Sequence, residues 1–244
     1  MSMLSNLLHR KSVELEIVQA THNRRYKDPQ EEALHRDLIA QYCAIRKQYK
    51  KHDATYPEGL GIPGDMEAGF LLAVDHSSGS PKVVAGFRLN EVPAGKPVPA
   101  EGELSDDQLG VQADKIQPSR VENLFPGINR AEHAILNIDG AMFDAHANPR
   151  VLAAAINSLL ESMVELAKAR GYDAITLIPG TKDKLDRRIT KFYAAHDYLK
   201  EHSIPITDHG TVTRKGTEKR VLCVTLDPKL VALLDENAER VAAR

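Results

Sequence analysis

The chain has 244 residues, 42% of them hydrophobic and 27% charged, which is the balance of an ordinary globular protein and argues against a disordered or fibrous one. Its 32 Lys and Arg residues against 34 Asp and Glu leave a formal net charge of -2, so no global field draws it to nucleic acid or to an anionic membrane, and a small ligand is the expected partner. Cys43 and Cys223 lie far apart without Cys-x-x-Cys spacing, the apolar run in residues 1–10 is short for a secretory signal, and no stretch has the length of a membrane span. These features lead us to expect a reduced, cytoplasmic protein, and the length fits one domain over residues 1–244.

In chain order, Val13, Leu15 and Ile17 alternate with Glu14 and Glu16, the period of a half-buried first strand. Residues 31–51 then place Leu34, Leu38, Tyr42, Ile45 and Tyr49 on one helical face, with Arg46, Lys47, Lys50 and Lys51 at the C-terminal end, where cations complement the helix dipole. The run Gly59-Leu60-Gly61-Ile62-Pro63-Gly64 has the letters of a dinucleotide fingerprint but neither the strand before it nor the helix within it, so it reads as a loop. Residues 70–75 and 82–89 are apolar and strand-like around a Ser-, Gly- and Pro-rich turn, which predicts an antiparallel hairpin; Gly86 marks a bulge or a close backbone approach. Residues 93–127 dissolve into Pro, Gly and acidic residues, the pattern of a flap or insertion.

A strand is expected at 131–139, and a second at 173–178. Between them Asn148 caps, and Pro149 opens, a helix whose apolar residues Leu152, Ile156, Leu159, Met163 and Leu166 recur at three- and four-residue steps until Gly171. A strand, a helix and a strand of these lengths form a right-handed βαβ unit, so the two strands should be parallel neighbours. A further helix follows with the stripe Leu185, Ile189, Phe192, His196 and Leu199, beside which Tyr193 can reach a cleft at the strand ends. Residues 204–216 read as polar and turn-rich, 220–226 as a strand, and 227–244 as a C-terminal helix. The apolar stripe of that helix, Leu230, Leu233, Leu234 and Val241, suits packing on the same chain or across a homodimer.

The segment Phe192-Tyr193-Ala194-Ala195-His196-Asp197-Tyr198, in the order strand, helix, strand, helix, resembles the Phe-Tyr-x-x-x-Gly-Phe close of the GNAT (Gcn5-related) N-acyltransferase domains, with Asp197 in place of the glycine. The resemblance implies an α/β (α+β) GNAT-like acyl-CoA N-acyltransferase fold: a mixed central sheet with antiparallel N-terminal strands, a parallel βαβ core and helices on both faces. It also implies transfer of an acyl group from acyl-CoA (acetyl-CoA or longer) or acyl carrier protein to a small-molecule amine, with Tyr193 protonating the departing thiolate.

The hairpin, ending in Arg88-Leu89, and the following Ala131-Glu132-His133-Ala134-Ile135 are similar to the hairpin and the Glu-x-Ser-Arg strand of the acyl-homoserine lactone (autoinducer) synthases. On that match Arg88 stands for the hairpin arginine, a substrate-binding position, and Glu132 for the strand glutamate. Ile135 replaces the strand arginine, no tryptophan is present, and Arg46 and Tyr49 are one residue too close for the corresponding pair of that family. The residues 144–150, Asp-Ala-His-Ala-Asn-Pro-Arg, also depart from the glycine-rich loop with which GNAT domains bind the pyrophosphate of coenzyme A; Arg150 offers a charge in its place.

Acyl transfer needs a neutral amine, support for an oxyanion and a proton for the thiolate. Glu132 is the expected base. His133 is an alternative base, which we also expect near the substrate, although a histidine in such a place is more often simply a satisfied structural residue. Backbone N–H groups from Asn137 and Ile138 to Gly140 are the expected cradle for the acyl carbonyl. A non-catalytic, ligand-binding member of the fold is the rival reading. A metal enzyme is disfavoured and no metal is expected, because the ten histidines lack close ligand spacing.

Overall fold

The computed structural model describes residues 14–22, 24, 26–49, 68–95, 124–125, 127–179, 199, 201–214 and 217–231. They form a seven-stranded sheet: β1 (Leu15–Thr21), β2 (Gly69–Asp75), β3 (Lys82–Val92), β4 (Ile135–Phe143), β5 (Ala174–Leu177), β6 (Ile206–Arg214) and β7 (Thr217–Thr225). Their order in the sheet is β1-β2-β3-β4-β5-β7-β6. Among these described strands the β4–β5 pair is parallel and the others are antiparallel. Helix α1 (Pro29–Tyr49) follows β1 and α2 (Pro149–Ala169) joins β4 to β5.

The α2 crossover forms as its local chemistry dictates. Asn148 accepts a hydrogen bond from the Arg150 N–H, Pro149 opens the helix, and beyond the C-cap residue Arg170 lies Gly171 with φ 69°. Its apolar stripe of Leu152, Ile156, Leu159, Leu160, Met163 and Val164 is buried against Leu89, Leu136, Ile138, Ile175, Leu177, Leu222 and Val224 on one face of the sheet. At roughly 1.5–3 kcal/mol for each fully buried large side chain, this stripe is a major part of what fixes α2 to the sheet. On the opposite face Leu38, Ile39, Tyr42 and Ile45 of α1 pack on Phe70, Leu72, Val74, Val83 and Met142. A third cluster, containing Val92, Phe125, Ile135, Ala174, Ile178, Val221, Cys223 and Leu230, continues that second face beyond α1.

Three sequence expectations are corrected. The strand placed at 131–139 runs from Ile135 to Phe143, because Arg130, Ala131 and Glu132 close a turn in which the Glu132 and His133 N–H groups donate to the Asn129 carbonyl. Residues 206–214, expected to be turn-rich, form β6, an edge strand paired to β7, with Asp208 and Thr211 exposed and the His209 ring edge-on to Phe125. Leu34, assigned to the buried stripe of α1, is 43% exposed because the buried face runs through His35, Leu38, Ile39 and Tyr42, with His35 rather than Leu34 turned inward at that end. Most of the expected flap at 93–127, the helix carrying Tyr193 and most of the C-terminal helix lie outside the described residues.

Candidate functional site

β4 and β5 run parallel through four pairs, Ile135 with Ala174 to Ile138 with Leu177, and then part. β4 continues for five residues beside β3, so from Gly140 to Phe143 its other edge has no strand against it among the described residues. Parting parallel strands open a crevice at their C-terminal ends, and an unpaired strand edge offers N–H and C=O groups to an extended ligand. This fork is the candidate site, and the N-terminus of α2, with the exposed Arg150, lies at the same end of the sheet.

Just past the fork β4 carries one extra residue. Gly86 pairs with Met142 and Arg88 with Asp139, which sets Gly140 and Ala141 against Phe87 alone. Gly140 has φ 61°, so this is a bulge of the type whose first residue is a left-handed glycine. Tyr42 of α1 donates its hydroxyl hydrogen to the Gly140 carbonyl. Gly86 is indeed a site of close approach: a Cβ there would sit 2.8 Å from Cδ2 of Tyr42 and 2.7 Å from Cδ2 of Leu72.

On the α1 face, opposite α2, a polar row crosses the sheet at the base of the fork. Asn90 pairs with Asn137, Asn137 with Thr176 and Thr176 with Cys223, and all four residues are buried. Thr176 Oγ1 donates to Asn137 Oδ1 at 3.1 Å, while the Nδ2 groups of Asn90 and Asn137 have no hydrogen-bond partner among the described residues. Buried amide donors without acceptors are uncommon in native folds and favour a ligand oxygen or a water at that place. Arg88 lies on the same face, 1% exposed, with its Cβ 3.7 Å from where a Gly140 Cβ would stand. Arg46, also buried, has its guanidinium 5.5 Å from the centre of the Tyr42 ring. Burial pushes the Cys223 thiol up to about 12, and its Sγ lies 3.8 Å from Thr225 Oγ1, so it is a packing residue rather than a nucleophile.

The loop leading to α2 offers an anion little. Asp144 is nearly buried and ion-paired with Lys82 at 2.7 Å, and its carboxylate also accepts the His146 N–H. Burial raises its pKa, but the Lys82 and His146 hydrogen bonds outweigh that and hold it below the usual carboxylate value. The Arg150 backbone N–H is taken by Asn148, so the helix end caps itself.

Of the residues expected from sequence, Asn137 and Ile138 lie in the doubly paired stretch just before the fork, Arg88 pairs with Asp139 on the neighbouring strand, and Arg150 lies in the first turn of α2 at the same end of the sheet. Glu132 is exposed and His133 half-buried in the turn before β4, at the end of the strand away from the fork; His133 Nδ1 accepts the Asn129 N–H. Tyr193 lies outside the described residues. Sequence reasoning passed over Tyr42 as a packing residue and did not single out Asn90 or Thr176. The visible signals were Asn90 and Asn137, each interrupting an apolar strand, and Gly140 within one. Among the described residues no three His, Cys, Asp or Glu side chains are grouped to hold a metal ion, and no helix is long and apolar enough to cross a membrane.

The sheet order, the parallel β4–β5 pair and helices on both faces give a GNAT-like fold, which the chain shares with solved structures. The AHL synthase LasI superposes with a TM-score of 0.53 at 10% identity, over 91% of this chain and 95% of that one. BjaI, a CoA-dependent acyl-homoserine lactone synthase solved with SAM and isopentyl-CoA, gives 0.52 at 16% identity, over 92% and 89%. No protein-family model matches the sequence, and no curated protein does.

Proposed function

We propose that the protein is an N-acyltransferase that moves an acyl group from an acyl thioester to the amine of a small molecule. The observation that carries this reading is the fork, where β4 and β5 part just before a glycine bulge that turns a peptide group out of the ladder. The amide-rich arm of a pantetheine thioester is the kind of extended ligand that an open strand edge can hold by main-chain hydrogen bonds. Its carbonyl then lies where preorganised N–H donors stabilise the tetrahedral oxyanion. Arg88 and the amides of Asn90 and Asn137 supply donors for oxygen atoms of the substrates, and Tyr193 returns the proton to the thiolate. Glu132 and His133 have no part at the fork in this reading.

The donor is acyl-CoA or an acyl carrier protein. The self-capped α2 and the neutralised Asp144 favour recognition of the pantetheine arm over the pyrophosphate, so acetyl-pantetheine should bind within about tenfold of acetyl-CoA. Calorimetric titration with acetyl-CoA and a medium-chain acyl-CoA tests the core of the proposal: micromolar binding supports it, and no binding by any thioester, carrier-linked ones included, returns the chain to the non-catalytic reading.

A narrower reading is an autoinducer synthase-like enzyme, favoured by the extent of the superposition on LasI and BjaI. Incubation with SAM and isopentyl-CoA, the molecules solved with BjaI, decides it by mass spectrometry. A lactone product supports it; turnover of thioester with other amines but not with SAM leaves only the general activity.

A further inference from the structure

The Tyr42 hydroxyl is built into the fold more closely than a packing residue requires. The ring is fully buried, with the Phe70 ring edge-on at 5.4 Å and Arg46 over it. It occupies a notch made by glycines on two neighbouring strands: a Cβ on Gly86 would come within 2.8 Å of the ring, and one on Gly140 within 2.7 Å of the hydroxyl oxygen. Real Cβ atoms do not approach so closely, so both positions leave room for this side chain. The hydroxyl then takes the Gly140 carbonyl as its acceptor.

That contact fixes the direction of the peptide that follows. In a trans peptide the C=O and the N–H point in opposite directions. With the Gly140 carbonyl held towards α1, the Ala141 N–H is directed to the other side of the strand, and the Ala141 side chain packs against the core under α2. This peptide belongs to the edge of β4 that β5 has left.

Resting on the acyl-transfer reading above, we propose that Tyr42 is the positioning residue of the oxyanion site: its hydroxyl holds the Gly140–Ala141 peptide so that the Ala141 N–H donates to the thioester oxygen. Tyr42 touches no substrate itself. Charge that develops on the thioester oxygen as the amine adds is met by a donor already aligned, and alignment is what a bulge without the tyrosine would lose. A residue acting only through packing would be replaced without loss by phenylalanine, which fills the same notch.

The test is Tyr42→Phe in the full chain, with thioester consumption followed by thiol release and the protein labelled for NMR. We expect kcat to fall about 10- to 100-fold, part of the 10²–10³-fold that removing an oxyanion donor costs, with KM for the thioester changed by less than about threefold. The Gly140 carbonyl resonance should move upfield on loss of its donor, and the Ala141 amide with it. In the wild-type protein the Ala141 amide should shift when a non-hydrolysable thioether analogue of acetyl-CoA is added. A kcat within twofold of wild type, or Gly140 and Ala141 resonances unmoved by the substitution, overturns the proposal. Failure of the parent reading is distinct, since it appears as wild-type protein that neither binds nor consumes any thioester, whereas the carbonyl resonance still reports whether Tyr42 holds the peptide.

Discussion

Replacing the Asn137–Thr176 pair by apolar residues should separate stability from function. In the native sheet Asn137 Oδ1 accepts from Thr176 Oγ1, and Asn137 Nδ2 is buried without a partner among the described residues. Thr176→Val removes the donor and leaves the Asn137 side chain with no partner among the described residues, an orphan that costs about 1–3 kcal/mol. Asn137→Leu with Thr176→Val removes the amide and the hydroxyl together and sets two apolar side chains beside Ile135, Ala174 and Cys223. Such a paired replacement is close to neutral or stabilising, so the double variant should unfold at least as late as wild type and be roughly 1–3 kcal/mol more stable than Thr176→Val alone. Urea unfolding measures this. With m of about 1–3 kcal/mol/M, a difference of 2 kcal/mol moves the midpoint by roughly 1 M at unchanged m. The stable double variant should nonetheless lose thioester turnover. A single substitution costing less than about 0.5 kcal/mol would refute the accounting of the buried pair, which takes an orphaned amide to cost more. A double variant that keeps full activity would refute its role at the fork.

Three further outcomes follow from the geometry. Gly140→Ala places a Cβ on a residue with φ 61° and 2.7 Å from the Tyr42 hydroxyl, so it should cost at least about 1–2 kcal/mol by urea unfolding; a neutral result would mean that the bulge is not held as described. The depressed pKa of Asp144 gives stability that is present above its unfolded value of 3.8 and lost as pH falls through the lower folded value. Asp144→Asn should therefore melt below wild type at pH 6, with the gap closing as pH falls below 3.8; a gap that stays constant with pH would show the ion pair with Lys82 to be irrelevant. Finally, Glu132→Gln should keep activity within a few-fold, since Glu132 is exposed in a turn away from the fork, whereas Tyr193→Phe should lose about 10²–10⁴-fold if Tyr193 is the general acid. Equal and severe losses in both variants would restore Glu132 to the site.

The sequence by itself determined the elements whose signals are local. Asn148, Pro149 and Gly171 bound α2, the three- and four-residue apolar steps give its buried face, and the turn around Gly79 gives the β2–β3 hairpin, because caps, turns and periodicity act over a few residues. The βαβ rule carried this one step further, to the parallel neighbours β4 and β5. Only the tertiary structure decided where β4 begins, since the Asn129 turn competes with strand extension at Glu132, and β6, a strand of mostly polar residues, is defined by its ladder to β7 rather than by apolar alternation. The candidate site was decided there too. Tyr42 and Gly140 are 98 residues apart, and Asn137 and Thr176 are 39 apart. Their contacts arise from the register of strands across the sheet and from the docking of α1, which no short-range pattern encodes.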